Sequence, residues 1–298
     1  MIMNAFIALP RRAFLAGAAA LAVSPARAQD GKLPVVASFS IIGDFLREVG
    51  GAHVDVTVIV GANGDAHVYQ PTPRDGQALA KAKLVFVNGL GFEGWLDRLV
   101  AASKTKATVV TLSHGLEARQ GDEGLDPHAW QSVANAMRYV ENIRDALIAA
   151  DPANAESFRE NAARYHARLD VLDKDMLAAF AAIPKERRRI VSTHDAFGYF
   201  AQRYGIDFIA PQGVSTEAEA SAKDIARIID AVRAHKVSAV FLENIADPRL
   251  TQRIAKETGA KIGGVLYSDA LSSPDGPAGS YEKMMRNNLR ELVEALGG

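Results

Sequence analysis

The 298-residue chain combines 48% hydrophobic with 23% charged residues, 24 glycines, 12 prolines and no cysteine, which excludes a disordered chain, a collagen-like fibre and a disulfide-stapled scaffold. Lys and Arg number 34 against 35 Asp and Glu, a balance that offers no basic surface for nucleic acid. Because a single core rarely grows beyond roughly 250 residues, the length fits two domains as well as one.

Residues 1–28 read as an export signal rather than as part of the fold. Arg11-Arg12 with Phe14-Leu15 opens an apolar stretch to Val23, and Ala26-Arg27-Ala28 before Gln29 has the small-x-small form of a cleavage site. The arginine pair resembles a twin-arginine (Tat) signal. The apolar stretch is about ten residues where a bilayer span needs about 20, so a membrane anchor is not expected. Without the signal, 31 Lys and Arg face 35 Asp and Glu, a formal charge of about −4. With no cysteine to carry a lipid, the mature chain is expected to be soluble in a bacterial periplasm.

From residue 29 to 151, short Val- and Ile-rich runs alternate with helical periodicity, the signature of a parallel sheet covered by helices. Strands are predicted at Pro34 to Phe39, Val54 to Val60, Lys83 to Asn88 and Ala107 to Thr111, with helices over Phe92 to Ala102 and Ser132 to Ala149. A long helical segment follows over 152–184, with Asp151 as its N-cap, Pro152 in its first turn and Pro184 as its stop. Its apolar residues Phe158, Ala162, Tyr165, Leu169, Leu172 and Met176 recur every three or four positions. At 1.5 Å per residue it spans roughly 45 Å, enough either to run along both domains or to form a local coiled-coil hairpin. Residues 185–298 repeat the α/β alternation, with strands at Ile190 to Thr193, Ile206 to Ala210, Val237 to Leu242 and Lys261 to Leu266. Helices are predicted at Ser221 to His235, Pro248 to Thr258 and Tyr281 to Leu296. The fold class is therefore α/β, two doubly wound domains with parallel sheets joined by one long helix.

Gly89-Leu90-Gly91-Phe92-Glu93-Gly94 matches a dinucleotide fingerprint between a strand and a helix. It follows the third strand, however, and no acidic residue ends the next one, so tight strand-to-helix packing explains its glycines better. Four polar residues share one topological position. His67 follows the second strand, His128 the fourth, His194 the first strand of the second half, and Asp269 the last strand. Open α/β sheets bind ligands at these carboxyl ends, and with two residues from each half the shared site falls in the cleft between domains. Three imidazoles and a carboxylate suit a borderline-soft cation such as Zn2+, although a single loop histidine is more often a surface residue. Asp65, Asp126 and Asp195 either orient these imidazoles or simply serve as turn and cap residues. Glu217 and Glu219 either line the cleft or contact a partner, or simply lie in a solvated loop.

The same residues carry a resemblance to the periplasmic substrate-binding proteins of zinc and manganese ABC importers. It covers Leu33 to Leu296 and rests on His67-Val68-Tyr69-Gln70-Pro71-Thr72-Pro73, Asn88-Gly89-Leu90 before Trp95, Asp126-Pro127-His128-Ala129-Trp130, His194-Asp195-Ala196-Phe197-Gly198-Tyr199-Phe200, Gln212 to Glu219, and Leu266-Tyr267-Ser268-Asp269. The resemblance implies metal ligation by His67, His128, His194 and Asp269, delivery to a membrane permease, and no enzymatic activity. Manganese-type members tend to carry Glu where His194 stands, so zinc is the expected ion, with manganese or mixed import as the alternative within the class. A zinc hydrolase is the alternative outside it, and there Asp269 would close the position needed by an activated water. Two departures stand out. The loop from Gly115 to Gly124 is short and acidic where zinc-type relatives carry a long His-rich loop, which leaves room for a separate metallochaperone, and Gln70 replaces a common Glu. A monomer is the simplest carrier.

Overall fold

The computed structural model describes residues 31–297 other than 122, 123, 236 and 238; the expected export signal lies outside the described residues. Two four-stranded sheets form the frame. The first contains β1 (Leu33–Phe39), β2 (Val54–Val60), β3 (Leu84–Val87) and β4 (Thr108–Thr111) in the order β2-β1-β3-β4. After a two-stranded hairpin, β5 (Gln120–Gly121) with β6 (Gly124–Leu125), the second sheet contains β7 (Arg189–Val191), β8 (Asp207–Ile209), β9 (Ala239–Glu243) and β10 (Lys261–Leu266) in the order β10-β9-β7-β8. Every pairing within the two sheets is parallel. Counted within its own half, each sheet runs second-first-third-fourth, so the two halves share one topology although their sequences show no residue-level repeat. β1 is buried along nearly its whole length, as a parallel strand covered on both faces must be.

The helices are α1 (Ser40–Gly50), α2 (Pro73–Lys81), α3 (Leu96–Ser103), α4 (Val133–Ala150), α5 (Ala155–Ala181), α6 (Gly198–Tyr204), α7 (Ala222–His235), α8 (Pro248–Thr258) and α9 (Tyr281–Leu296). Local chemistry sets several boundaries. Pro73 and the bond from the Thr72 N–H to the Asp75 carboxylate (2.7 Å) open α2. Asp247 caps α8 ahead of Pro248, and Gly259 in the left-handed region (φ 74°) ends it. The helix predicted from Phe92 starts at Leu96, because Gly89, Leu90 and Gly91 all take positive φ and form a turn first.

The long helix differs from expectation at its start. Pro152–Asn154 form a 3-10 turn, closed by the Asn154 side chain donating to Asp151 (2.6 Å), and the α-helix begins at Ala155. Its 27 residues extend about 40 Å. All six predicted apolar positions are buried, joined by Phe180. Along its length α5 packs on α1 and α4 and then on α6 and α9, so it forms a hairpin with α4 and also reaches the second half. One hydrophobic core runs from the first sheet across α5 to Met284, Leu292 and Leu296 of α9. A smaller cluster, including Ile228, Val232, Val240 and Ile254, lies between the second sheet and α7 and α8. The last helix therefore docks on the first half of the molecule: the Tyr281 N–H donates to Asp44 of α1 (2.8 Å), and the Tyr281 hydroxyl donates to the Trp130 carbonyl (2.6 Å).

Candidate metal centre

The four strand-end residues meet. The loop after β2 carries His67, the short 3-10 turn before α4 follows His128, the segment between β7 and α6 carries His194, and the loop after β10 carries Asp269. One ligand atom from each lies within 4.8 Å of all the others. His67 Nε2 is 3.3 Å from His128 Nε2 and 3.2 Å from Asp269 Oδ2. His194 Nε2 is 3.2 Å from the same carboxylate oxygen, and His128 Nε2 is 3.6 Å from Asp269 Oδ1. His128, His194 and Asp269 have no solvent exposure and His67 is 6% exposed. His194 Nε2 and both Asp269 oxygens are buried without a hydrogen-bond partner among the described residues. Buried polar atoms cost free energy unless they are paired, so the arrangement asks for a central cation.

Phe92 packs edge-on against His67 (centroids 4.7 Å apart) and Trp130 against His128 (5.3 Å), making a dry wall that strengthens local electrostatics. Burial lowers the His67 pKa, with Asp269 opposing. For His128, burial acts downward, but Asp269 and Asp126 outweigh it and raise the pKa to about 9. His194 follows the same balance, with Glu243 and Asp269 lifting it well above the ordinary imidazole value. Burial would raise Asp269, yet the charges of His194 and His128 beside it hold it well below the usual carboxylate range. Asp126, Glu243 and Asp269 bring three buried carboxylates to the imidazoles, and one guanidinium, that of Arg119, pairs with Asp126 (2.9 Å). With neutral imidazoles the cluster carries two net negative charges, which one divalent cation balances.

The three candidate orienting aspartates take different roles. Asp126 Oδ1 lies 2.9 Å from His128 Nδ1 and also accepts the His128 backbone N–H. Asp65 accepts the His67 backbone N–H (2.9 Å), a turn role, and touches no ring through a described hydrogen bond. Among the described residues no hydrogen bond joins the Asp195 side chain to an imidazole; its N–H bonds the carbonyls of Gln212 and Gly213, and burial and the charge of Asp126 raise its carboxyl pKa. The group behind His194 is Glu243 at the end of β9, which sequence reasoning missed. Its Oε2 lies 2.6 Å from His194 Nδ1 without hydrogen-bond alignment, while Oε1 accepts the N–H groups of Thr193 (2.7 Å) and His194 (3.0 Å). The available signal was the strand-end rule itself, applied one residue beyond the predicted end at Leu242. Glu217 is exposed, and Glu219 lines a side cavity of about 350 Å3 with Asp195 and Arg227.

The glycine motif serves the same centre indirectly. Its turn wraps Glu93, whose buried carboxylate accepts from Ser38 (2.7 Å) and from the N–H groups of Asn88 (2.7 Å) and Gly89 (3.2 Å). Amides that would cradle a phosphate are thus engaged by a side chain, and burial raises the Glu93 pKa. The Asn88 side chain in turn donates to the Pro127 carbonyl (2.8 Å), fixing the backbone next to His128.

Residues 35–295 match the family described as ZnuA, zinc-uptake complex component A, periplasmic. The chain belongs to this family, the metal-binding substrate-binding proteins of ABC importers. It is 37% identical over 271 residues to the manganese-binding lipoprotein MntA of Halalkalibacterium halodurans, covering 90% of each chain. It is 33% identical over 270 residues to the iron-binding protein YfeA of Yersinia pestis, covering 89% of this chain and 87% of that one. Among solved structures, the periplasmic zinc binding protein TroA of Treponema pallidum superposes with a TM-score of 0.86 at 29% identity, covering 90% of this chain and 100% of that one. The Mn-bound S38A mutant of a periplasmic metal binding protein from Candidatus Liberibacter asiaticus gives 0.83 at 33% identity, covering 89% and 100%. The family's members are binding proteins working with a membrane permease, and they lie outside the cytoplasm.

Proposed function

We propose that this protein binds Zn2+ in the periplasm through His67, His128, His194 and Asp269 and delivers it to the permease of a zinc ABC importer. The observation that carries the reading is the spacing of the buried donors. A tetrahedral ion with bonds of about 2.0–2.1 Å separates its donors by about 3.3–3.4 Å; four contacts among these residues, to one or the other Asp269 oxygen or between imidazoles, lie at 3.2 to 3.6 Å, and one atom from each residue lies within 4.8 Å of the rest. Three imidazoles favour zinc over harder ions. Four protein donors leave no position for an activated water, which supports a carrier without enzymatic activity. The absence of cysteine supports a soluble form where several relatives are named lipoproteins, and the short acidic loop is consistent with loading by a metallochaperone. We take 29–151 and 185–298 as the two lobes, 152–184 as the segment joining them, residues 1–28 as a cleaved Tat-type signal, and a monomer as the working form.

A second reading, manganese or mixed zinc and manganese import, is favoured by Asp269. Both of its oxygens face the imidazoles without other partners, so a bidentate carboxylate offers a fifth donor to a harder ion, and the Mn-bound Liberibacter protein has the same fold. Competition titration of the stripped protein at neutral pH separates the two. One tightly held Zn2+ per chain with much weaker Mn2+ supports the zinc carrier; a manganese preference transfers the conclusion to the second reading, and the absence of any stoichiometric cation defeats both.

A further inference from the structure

Of the three imidazoles, His67 sits in the least supported segment. The stretch between β2 and α2 has no regular structure over residues 61–72, and the neighbouring Val68 is 46% exposed. The Trp95 indole N–H donates to the Ala66 carbonyl (2.8 Å) and fixes the loop to the first half. Three further ties cross to the second half, one of them the Asn244 side-chain N–H donating to Asn63 Oδ1 (3.1 Å). The Asn63 N–H donates to the Leu271 carbonyl (2.9 Å) in the segment that carries Asp269, and the Thr216 hydroxyl donates to Asp65 Oδ2 (2.6 Å). The other oxygen of that carboxylate, Oδ1, accepts the His67 N–H.

We infer that Thr216 and Asp65 are positioning residues that link the closure of the two halves to the placement of His67. A single carboxylate holds the backbone of a cation donor on one side and a hydroxyl of the opposite half on the other. When the halves part, Asp65 loses its partner across the cleft, and the restraint on His67 slackens with it. The rings of His128 and His194 are each braced by a carboxylate of their own half, Asp126 and Glu243, whereas among the described residues no carboxylate of its own half braces the His67 ring. Departure of the cation therefore begins at His67. The inference rests on the carrier reading, with His67 as a donor.

The test compares release of bound Zn2+ from the wild-type chain, Thr216→Val and Thr216→Ser, by stopped-flow transfer to a zinc-responsive dye. Thr216→Val keeps the side-chain shape and removes the hydroxyl; Thr216→Ser keeps the hydroxyl. Loss of a hydrogen bond to a charged acceptor is expected to speed release about tenfold, with the association rate within twofold of wild type, normal release in Thr216→Ser, and faster amide exchange at His67 in metal-free Thr216→Val. A merely structural role would change the melting temperature of the metal-free protein and leave this kinetic split absent. Release from Thr216→Val within twofold of wild type, or equal acceleration in Thr216→Ser, overturns the linkage while stoichiometric Zn2+ in the wild type keeps the carrier reading intact. A wild-type protein that binds no stoichiometric Zn2+ overturns both.

Discussion

The two halves of the molecule repeat one strand order and each supplies two of the four clustered residues, but they hold them differently. In the second half, His194 is backed by Glu243, and the loop of Asp269 is anchored through the Ser268 carbonyl, which accepts from the Trp130 indole (2.9 Å) and the Gln131 amide (2.6 Å). In the first half, His128 has Asp126 behind its ring, whereas Asp65 reaches His67 only through the backbone N–H and, among the described residues, no carboxylate stands behind the His67 ring. The proposed cation site thus sets three donors backed by firm contacts beside one in a less regular loop, and the difference comes from where carboxylates fall at the ends of strands.

The strongest way to break this comparison is to remove one of the firmly backed donors. His194→Ala is expected to weaken Zn2+ binding by at least about a thousandfold, since it deletes a ligand and leaves Glu243 buried without its partner; an unchanged affinity in a competition titration would remove His194 from the ligand set. Next comes the brace. Glu243→Ala should cost about 10- to 100-fold in affinity, and a loss below about threefold would show that His194 needs no carboxylate behind it.

Acidity sharpens the comparison further. The His128 pKa is raised from an ordinary value near 6.5 to about 9, so in the metal-free protein its charge stabilises the fold fully below about 6.5, and that contribution is lost as pH rises through about 9. Cation affinity moves the opposite way, gaining up to about tenfold per pH unit for each proton displaced across the same interval. Calorimetric titration in buffers of different ionisation enthalpy counts those protons; a count of zero at pH 7 contradicts a protonated His128. The smallest effect belongs to Asp195. Asp195→Asn should change Zn2+ affinity by less than about threefold, as expected of a residue that orients no ring, and a loss as large as that of Glu243→Ala would place it among the braces.

Much of this organisation is legible in the residues alone, for identifiable reasons. Turn and cap residues bound the elements that the pattern places correctly: Gly61 follows β2, Asp247-Pro248 and Gly259 bracket α8 and precede β10, and Ser280 and Gly297 bracket α9. The donors stand out because imidazoles and a carboxylate at strand ends break that pattern sharply. α1 is hard to see because it starts on the residue after β1 with no turn between them, and α6 is only seven residues long. Glu243 escapes notice for a related reason: a charged residue closing an apolar strand looks like the edge of solvent, and only the fold shows that it points at a buried imidazole. Asp151 and Pro152 signal a helix start correctly in kind, but the chain first makes one tighter turn.

The continuity of the core across α5 into α9 has a thermal consequence. Lobes with separate cores can melt one after the other, but here the last helix of the chain is packed against the first, so the larger core is shared and neither lobe keeps it once the other is lost. Heating is therefore expected to give one cooperative transition, with calorimetric and van't Hoff enthalpies in agreement. A cation bridging the two halves should raise that single midpoint as a whole rather than split it into a protected lobe and an unprotected one.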